Sequence, residues 1–293
     1  MGKVYEALSR AENEGDELDL FDDVEDERED ETGQQPAPEK FHFMRYSLGA
    51  TSTVARDRIK RASPTAALAP RSPGLPAREL TINPERLDPH LVSFNNFDPK
   101  ASREYNKLAL TLISKAAQRG FKRVLIASAQ PGEGRTCVTL NLACALARAR
   151  QRVLVVDCDL LNPSVLRVLG LHSEIGIYEA FDREMSPAAA AIAIRPYGFS
   201  VLPTTRRLDN PAELFAAPGF WKMLKSFDGD HDFILFDSSP LTTGGDSSLL
   251  VRFTDTTLMV VRAGHTSSAD MAKAITPFAQ DDILGVVINR TSA

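Results

Sequence analysis

The residues best placed to do chemistry are the eight from Ala129 to Thr136, Ala-Gln-Pro-Gly-Glu-Gly-Arg-Thr. A run that opens on Ala or Gly and, after four intervening residues, closes on Gly-Lys-Ser/Thr lets successive backbone N–H groups converge on phosphate oxygens. It needs a strand to deliver it and a helix to start at its end, where the helix dipole adds to the attraction. Here Val124-Leu125-Ile126-Ala127 precedes the run and an apolar, helix-patterned stretch follows it, which supplies that context. Position 135 departs from the pattern, with arginine where lysine is expected. Lysine carries a compact charge to the β and γ phosphates, whereas a guanidinium is longer and planar. The charge is kept and its geometry is not, so the substitution bears more on catalysis than on binding.

Three aspartates complete this chemistry. Asp157 and Asp159 follow the apolar run Val153 to Val156, with Asp157 22 residues after Arg135, and Asp237 follows Phe233-Ile234-Leu235-Phe236. Carboxylates at such positions lie at the sheet edge where ligands gather in open α/β folds. Magnesium prefers hard oxygen ligands, so Thr136, Asp157 and Asp237 are the expected metal set, binding the ion or orienting its waters. A single strand-end aspartate would be read as a helix cap. Two of them beside a phosphate-binding loop make a joint metal and nucleotide site.

These residues need elements to hold them, and the hydrophobic pattern provides an alternation. Strands are expected at 123–127, 152–156, 199–202, 233–236, 257–261 and 284–288. Helices are expected at 102–119, 135–150, 163–169, 211–226, 247–253 and 268–278. Short apolar strands separated by helices predict an α/β fold, a mostly parallel sheet flanked by helices on both faces.

Charge divides the chain. Residues 1–40 hold 15 of the 39 Asp and Glu but four of the 34 Lys and Arg, so the net charge of −5 hides a mildly basic body behind an acidic leader. Three units are expected: a short N-terminal helix over 1–11, a disordered linker over 12–80 that is acidic and then rich in Pro and Ala, and a nucleotide-binding domain over 81–293. Cys137, Cys144 and Cys158 form no C-x-x-C pair and have no histidine cluster beside them, which argues against a zinc site or a disulfide framework. Neither a secretion signal nor an apolar stretch of about 20 residues is present, so a cytoplasmic protein without a membrane span of its own is expected. No nucleic-acid partner is expected.

Taken together, the motifs resemble those of the bacterial tyrosine kinases of capsule and exopolysaccharide assembly, a family within the deviant Walker P-loop ATPases. Pro131-Gly132-Glu133-Gly134 is similar to the family's Walker A loop, Asp157-Cys158-Asp159-Leu160 with Asn162-Pro163 to its second Walker motif, and Phe236-Asp237-Ser238-Ser239-Pro240 to its Walker B segment. Gln130 stands where partition-type members carry a signature lysine, which favours the kinase branch. The resemblance implies a P-loop NTPase fold and ATP with magnesium as cofactors. It implies nucleotide contacts from Pro131, Gly132, Glu133, Gly134, Arg135, Thr136 and Cys137. Arg135, Asp157 and Asp159 are the implied catalytic residues, with Asp159 or Asp157 assisting the acceptor hydroxyl. It further implies a membrane-bound polysaccharide chain-length or export protein as partner, through which the chain would reach the membrane, and a homo-oligomer.

Four positions depart from the family. Beyond Arg135, Leu161 replaces an arginine of the second Walker motif. The oligomerisation pattern Glu-x-x-Arg-x-x-Arg reads Glu104, Lys107 and Leu110, and the last tyrosine is Tyr197, well before the place of the family's C-terminal tyrosine cluster. Two function classes follow: a kinase transferring the ATP γ-phosphoryl group to protein tyrosine, or a catalytically weakened, nucleotide-sensing regulator of the polysaccharide machinery.

Overall fold

The computed structural model describes residues 78–95, 98–242, 247–279 and 282–290. The expected helix at 1–11 lies outside the described residues, as does the expected linker except for its last three positions, which belong to the first strand.

Eight strands form one sheet: β1 (Arg78–Thr81), β2 (Arg123–Ser128), β3 (Val153–Cys158), β4 (Ile192–Arg195), β5 (Phe199–Leu202), β6 (Phe233–Ser238), β7 (Thr256–Arg262) and β8 (Ile283–Asn289). Their order across the sheet is β1-β4-β5-β3-β6-β2-β7-β8. Neighbours are parallel except β4 and β5, which pair antiparallel. A tight reversal ending at Gly198 joins that pair, with the glycine at φ 80° in the left-handed region. Strands β1 and β4 therefore run against the rest, and they form an edge that the hydrophobic pattern did not foretell.

The helices are α1 (Val92–Asn95), α2 (Pro99–Arg119), α3 (Arg135–Arg148), α4 (Val165–Val168), α5 (Ile177–Asp182), α6 (Pro187–Ala190), α7 (Pro211–Ala216), α8 (Pro218–Lys225), α9 (Ser247–Phe253) and α10 (Ser268–Ile275). Helix α2 starts three residues before the expected Ser102, because Asp98 caps it by accepting from the backbone N–H of Lys100 and Ala101, both at 2.9 Å, and Pro99 fits the first helical turn. The single helix expected over 211–226 is two. Pro218 has no N–H to donate and crowds the residue before it, so Ala217 is extended at φ −78°, ψ 117°.

The central strands β3 and β6 are buried at every position, and β2 at every position after Arg123. Successive side chains point to opposite faces. On one face Val124, Ile126, Val155 and Leu235 pack with Tyr105 and Leu112 of α2 and Leu142 of α3. On the other, Leu125, Leu154, Ile234 and Phe236 pack with Phe220 of α8, Leu250 of α9 and Met271 of α10. Burial on both faces is why these strands read as unbroken Val, Leu, Ile and Phe runs. The three cysteines are free. Among the described residues no helix is long and apolar enough to cross a membrane.

Candidate nucleotide and metal site

The parallel core brings the C-terminal ends of β2, β3 and β6 side by side, with α3 rising from the loop after β2. Two glycines shape that loop, Gly132 at φ 78° and Gly134 at φ 88°, both in the left-handed region. Gly134 is also a point of close approach, since a Cβ there would lie 2.1 Å from Asn289 Nδ2. Asn289, at the end of β8, uses that nitrogen to donate to the Glu133 carbonyl at 2.8 Å. Glu133 is fully buried. Its carboxylate accepts from the Gln130 backbone N–H at 3.0 Å and from the Thr266 hydroxyl, so the side chain folds back under the loop and fixes its curvature. Pro131 and Gly132 form the exposed crest.

Arg135 is 8% exposed, and its guanidinium ties three strand ends together. Nε donates to the Ser238 carbonyl at 2.9 Å, and Nη1 donates to the Ser128 hydroxyl and, at 3.2 Å, to the Gln130 carbonyl. Nη2 lies 3.6 Å from Asp159 Oδ2. The planar fork suits this arrangement, and lysine with three donors on one atom would reach fewer of these groups.

Thr136 follows on the first turn of α3. Its hydroxyl donates to Asp237 Oδ2 at 2.7 Å and lies 2.8 Å from Ser164 Oγ. One turn on, the Thr139 hydroxyl donates to Asp237 Oδ1 at 3.1 Å. Asp157 and Asp237 are register partners on β3 and β6, and both are fully buried. Asp157 accepts from the backbone N–H of Asp159 and of Val165, each at 3.2 Å. Burial, then the facing Asp237 charge, pushes the Asp157 carboxyl well above the usual range. Burial raises Asp237 to about 6, against the lowering pull of Arg135 and the Thr136 hydrogen bond. Asp159 is raised by burial while Arg135 pulls it down. Burial also pushes the Cys137 thiol up to about 12, which keeps it neutral.

The residues singled out from the sequence thus converge on one sheet edge, with the Glu133 and Arg135 side chains committed to protein groups. Thr139 and Ser164 were not singled out. Thr139 was legible in principle, since it lies three residues after Thr136 on the same helix face. Ser164 reaches the site through the fold of the loop after β3, which local pattern does not reveal.

A divalent cation fits this chemistry. Two buried carboxylates face each other in register, and their raised proton affinity marks negative charge that a cation would offset. The threonine, serine and aspartate donors are hard oxygens, as magnesium prefers, and magnesium needs few protein ligands because it keeps waters and phosphate oxygens. Among the described residues no group of three or more His, Cys, Asp or Glu is placed to hold a metal unaided.

A glycine-shaped phosphate loop between a strand and a helix, with a threonine bonded to the aspartate of a neighbouring strand, defines the class of P-loop NTPases. Residues 121–292 match the family model of ParA, described as NUBPL iron-transfer P-loop NTPase. The chain is 28% identical over 196 residues to the tyrosine-protein kinase YwqD of Bacillus subtilis (strain 168), covering 66% of this chain and 83% of that protein. It is 25% identical over 173 residues to the succinoglycan biosynthesis transport protein ExoP of Rhizobium meliloti (strain 1021), covering 57% of this chain and 22% of that longer protein. Its fold matches the kinase domain of the Escherichia coli tyrosine kinase ETK with a TM-score of 0.64 at 23% identity, over 71% of this chain and 84% of that one. The chain belongs to the ParA family of P-loop NTPases, and its relatives include proteins named bacterial tyrosine kinases.

Proposed function

We propose that the chain binds ATP with magnesium and transfers the γ-phosphoryl group to a protein tyrosine in exopolysaccharide or capsule biosynthesis. The observation that carries this reading is the Thr136 hydroxyl bonded to Asp237, directly across the sheet from Asp157 and at the root of the phosphate loop. In this reading the backbone of residues 131–137 cradles the phosphates. Thr136, Asp157 and Asp237 hold the metal or its waters, and Arg135 supplies fixed positive charge. Magnesium, when bound, offsets the charge that develops on the transferring group. The phenolic oxygen forms the new P–O bond, the bond to the β,γ-bridging oxygen breaks and leaves with ADP, and the phenolic proton passes to a carboxylate. Asp159 suits that last role because it is the least buried of the three aspartates and burial raises its proton affinity. The partner proposed is a membrane-bound polysaccharide chain-length or export protein, which would bring a cytoplasmic chain to the membrane, and assembly of several copies is part of the same reading.

A second reading, a regulator that binds nucleotide without transferring phosphate, draws its support from the commitment of the Arg135 guanidinium to protein groups. One experiment separates the two. The purified chain is incubated with γ-labelled ATP, magnesium and a tyrosine-containing acceptor, either a Glu-Tyr copolymer or the cytoplasmic segment of the membrane partner. Phosphotyrosine that falls by roughly 10²-fold or more in Thr136→Ala supports the kinase. Nucleotide binding without phosphotyrosine supports the regulator, and no nucleotide binding overturns both.

A further inference from the structure

Away from the phosphate loop, a cavity of about 390 Å³ opens between α5, the loop before Pro211, and α7. Its walls are aromatic and aliphatic, from Tyr178, Phe181, Leu208 and Leu214. Three carboxylates also line it, Asp182, Asp209 and Glu213, and all three are exposed. The cation among the lining residues, Arg206, is already neutralised: its Nε donates to Glu179 Oε1 at 3.3 Å and its guanidinium stacks 4.5 Å over the Tyr178 ring. Glu179 in turn accepts from the Gly176 N–H at 3.0 Å and the Thr205 hydroxyl at 2.9 Å, which locks that wall in place. The result is an apolar floor beside three exposed carboxylates, one of which, Glu213, accepts from Asn210 Nδ2 at 3.4 Å, a shape that takes a basic side chain with an aliphatic stem.

The chain itself carries such an occupant. Arg56, Arg58, Lys60 and Arg61 flank Ile59 in a segment that lies outside the described residues and contains a single acid, Asp57. The place where the described chain begins also matters. Arg78 Nη1 donates to Ser173 Oγ at 3.0 Å, and Ser173 Oγ donates to the Ile175 carbonyl at 2.8 Å, on the turn that leads into α5. Arg78, the first described residue, is therefore tied to the turn that leads into the cavity wall. The 17 residues from Arg61 to Arg78 reach at most roughly 56 Å, ample for a return to it.

We propose that the acidic cavity formed by α5 and α7 is the docking site of the chain's own basic segment, Arg56 to Arg61. Tethering makes the contact intramolecular, so a weak charge-led interaction suffices to keep it occupied. The cavity is joined to the loop after β3, because Leu208 at its wall donates its N–H to the Leu160 carbonyl at 2.8 Å, one residue beyond Asp159.

Carbodiimide coupling tests this without reference to nucleotide, since it joins an amine to a carboxylate only at contact. The full chain, prepared as an equal mixture of ¹⁴N and ¹⁵N protein, is coupled and mapped by mass spectrometry. The expected product is a single-isotope amide between Lys60 and Asp182, Asp209 or Glu213, falling about tenfold in 1 M salt, where charges are screened beyond ~3 Å. In parallel, trypsin should cleave after Arg56 to Arg61 several-fold faster in the variant Asp182→Asn, Asp209→Asn, Glu213→Gln than in the parent, with cleavage at other sites unchanged. Mixed-isotope amides would assign the cavity to a second copy and overturn the intramolecular contact. Coupling of Lys60 to the acidic leader at Glu12 to Glu31 instead, or equal trypsin rates in parent and variant, would overturn it as well.

Discussion

Strands β3 and β6 carry charge at both ends, and the two ends are built on opposite principles. At the end where the strands enter, Asp232 faces Arg152, with Arg152 Nε to Asp232 Oδ2 at 3.0 Å and Nη2 to Oδ1 at 2.5 Å. The Arg152 guanidinium holds the Asp232 carboxyl below its ordinary range. One strand over, Asp255 accepts from the backbone N–H groups of Lys122 and Arg123 and from the Arg123 guanidinium at 2.9 Å. At the exit end of the same strands Asp157 and Asp237 face each other, fully buried, and both are pushed up. At one edge Asp232 and Asp255 each have an arginine partner. At the other the two facing carboxylates have no arginine or lysine ion-pair partner among the described residues, and that asymmetry supports the proposed site beyond what the loop motif alone provides.

Removing a carboxylate from each end should therefore have unlike consequences. Asp237→Asn is expected to lower magnesium-dependent phosphoryl transfer by roughly 10³-fold, because it removes charge that positions the metal. Asp232→Asn should leave transfer within about twofold, since nothing at that end approaches a reacting group. Steady-state phosphotyrosine formation compares them directly, and equal losses would dissolve the distinction.

Arg135 sharpens the same contrast from the cationic side. Arg135→Lys places a compact charge in the loop and releases the carbonyls of Ser238 and Gln130. Transfer should rise by on the order of tenfold while the melting temperature falls. Robust native turnover that drops in Arg135→Lys would show instead that the loop is adapted to the guanidinium.

Much of this site was legible in the sequence, because its pieces are local. The phosphate loop needs glycines at fixed places before a helix, and Asp157 and Asp237 each close an unbroken apolar strand. What the sequence could not disclose depends on the fold. The contacts among Glu133, Thr266 and Asn289 come from the loop after β7 and the end of β8 meeting the phosphate loop, more than 130 residues along the chain from it. The antiparallel edge was missed because β1 (Arg-Glu-Leu-Thr) is mostly polar and exposed and β4 (Ile-Ala-Ile-Arg) follows an alanine-rich stretch, whereas the equally short β5 carries Phe199, Val201 and Leu202. The break at Ala217 was written in Pro218, yet amphipathic spacing continued across it and concealed the change.

The pH dependence of stability gives a smaller effect with opposite signs at the two ends. Asp237 has a folded pKa above its unfolded one, so the folded state binds the extra proton and metal-free stability declines as pH rises from the ordinary carboxylate range to about 6. Above that pH the penalty is complete, and Asp237→Asn should raise the metal-free melting temperature by several degrees at pH 7.5 and by little at pH 4. Asp232 is the reverse: its folded pKa is depressed, so its contribution is present above the unfolded value and disappears as pH falls through the folded one. With the pair about a third exposed, Asp232→Asn should cost about 1 kcal/mol or less at pH 7.5 and nothing in strong acid. Melting curves for both variants across pH 3 to about 8 would show the two slopes.

The most direct test of the central claim is the thermal shift produced by ATP with magnesium, set beside ATP with EDTA, in the parent chain and in Asp237→Asn. A ligand at about a hundred times its Kd adds ~2.7 kcal/mol to the folded state, which corresponds to roughly 5–10 °C for a domain of this size. The account predicts a shift of that order with magnesium, a markedly smaller one with EDTA, and loss of the magnesium-dependent part in Asp237→Asn. A shift of equal size with and without magnesium, or one that survives unchanged in Asp237→Asn, would contradict it.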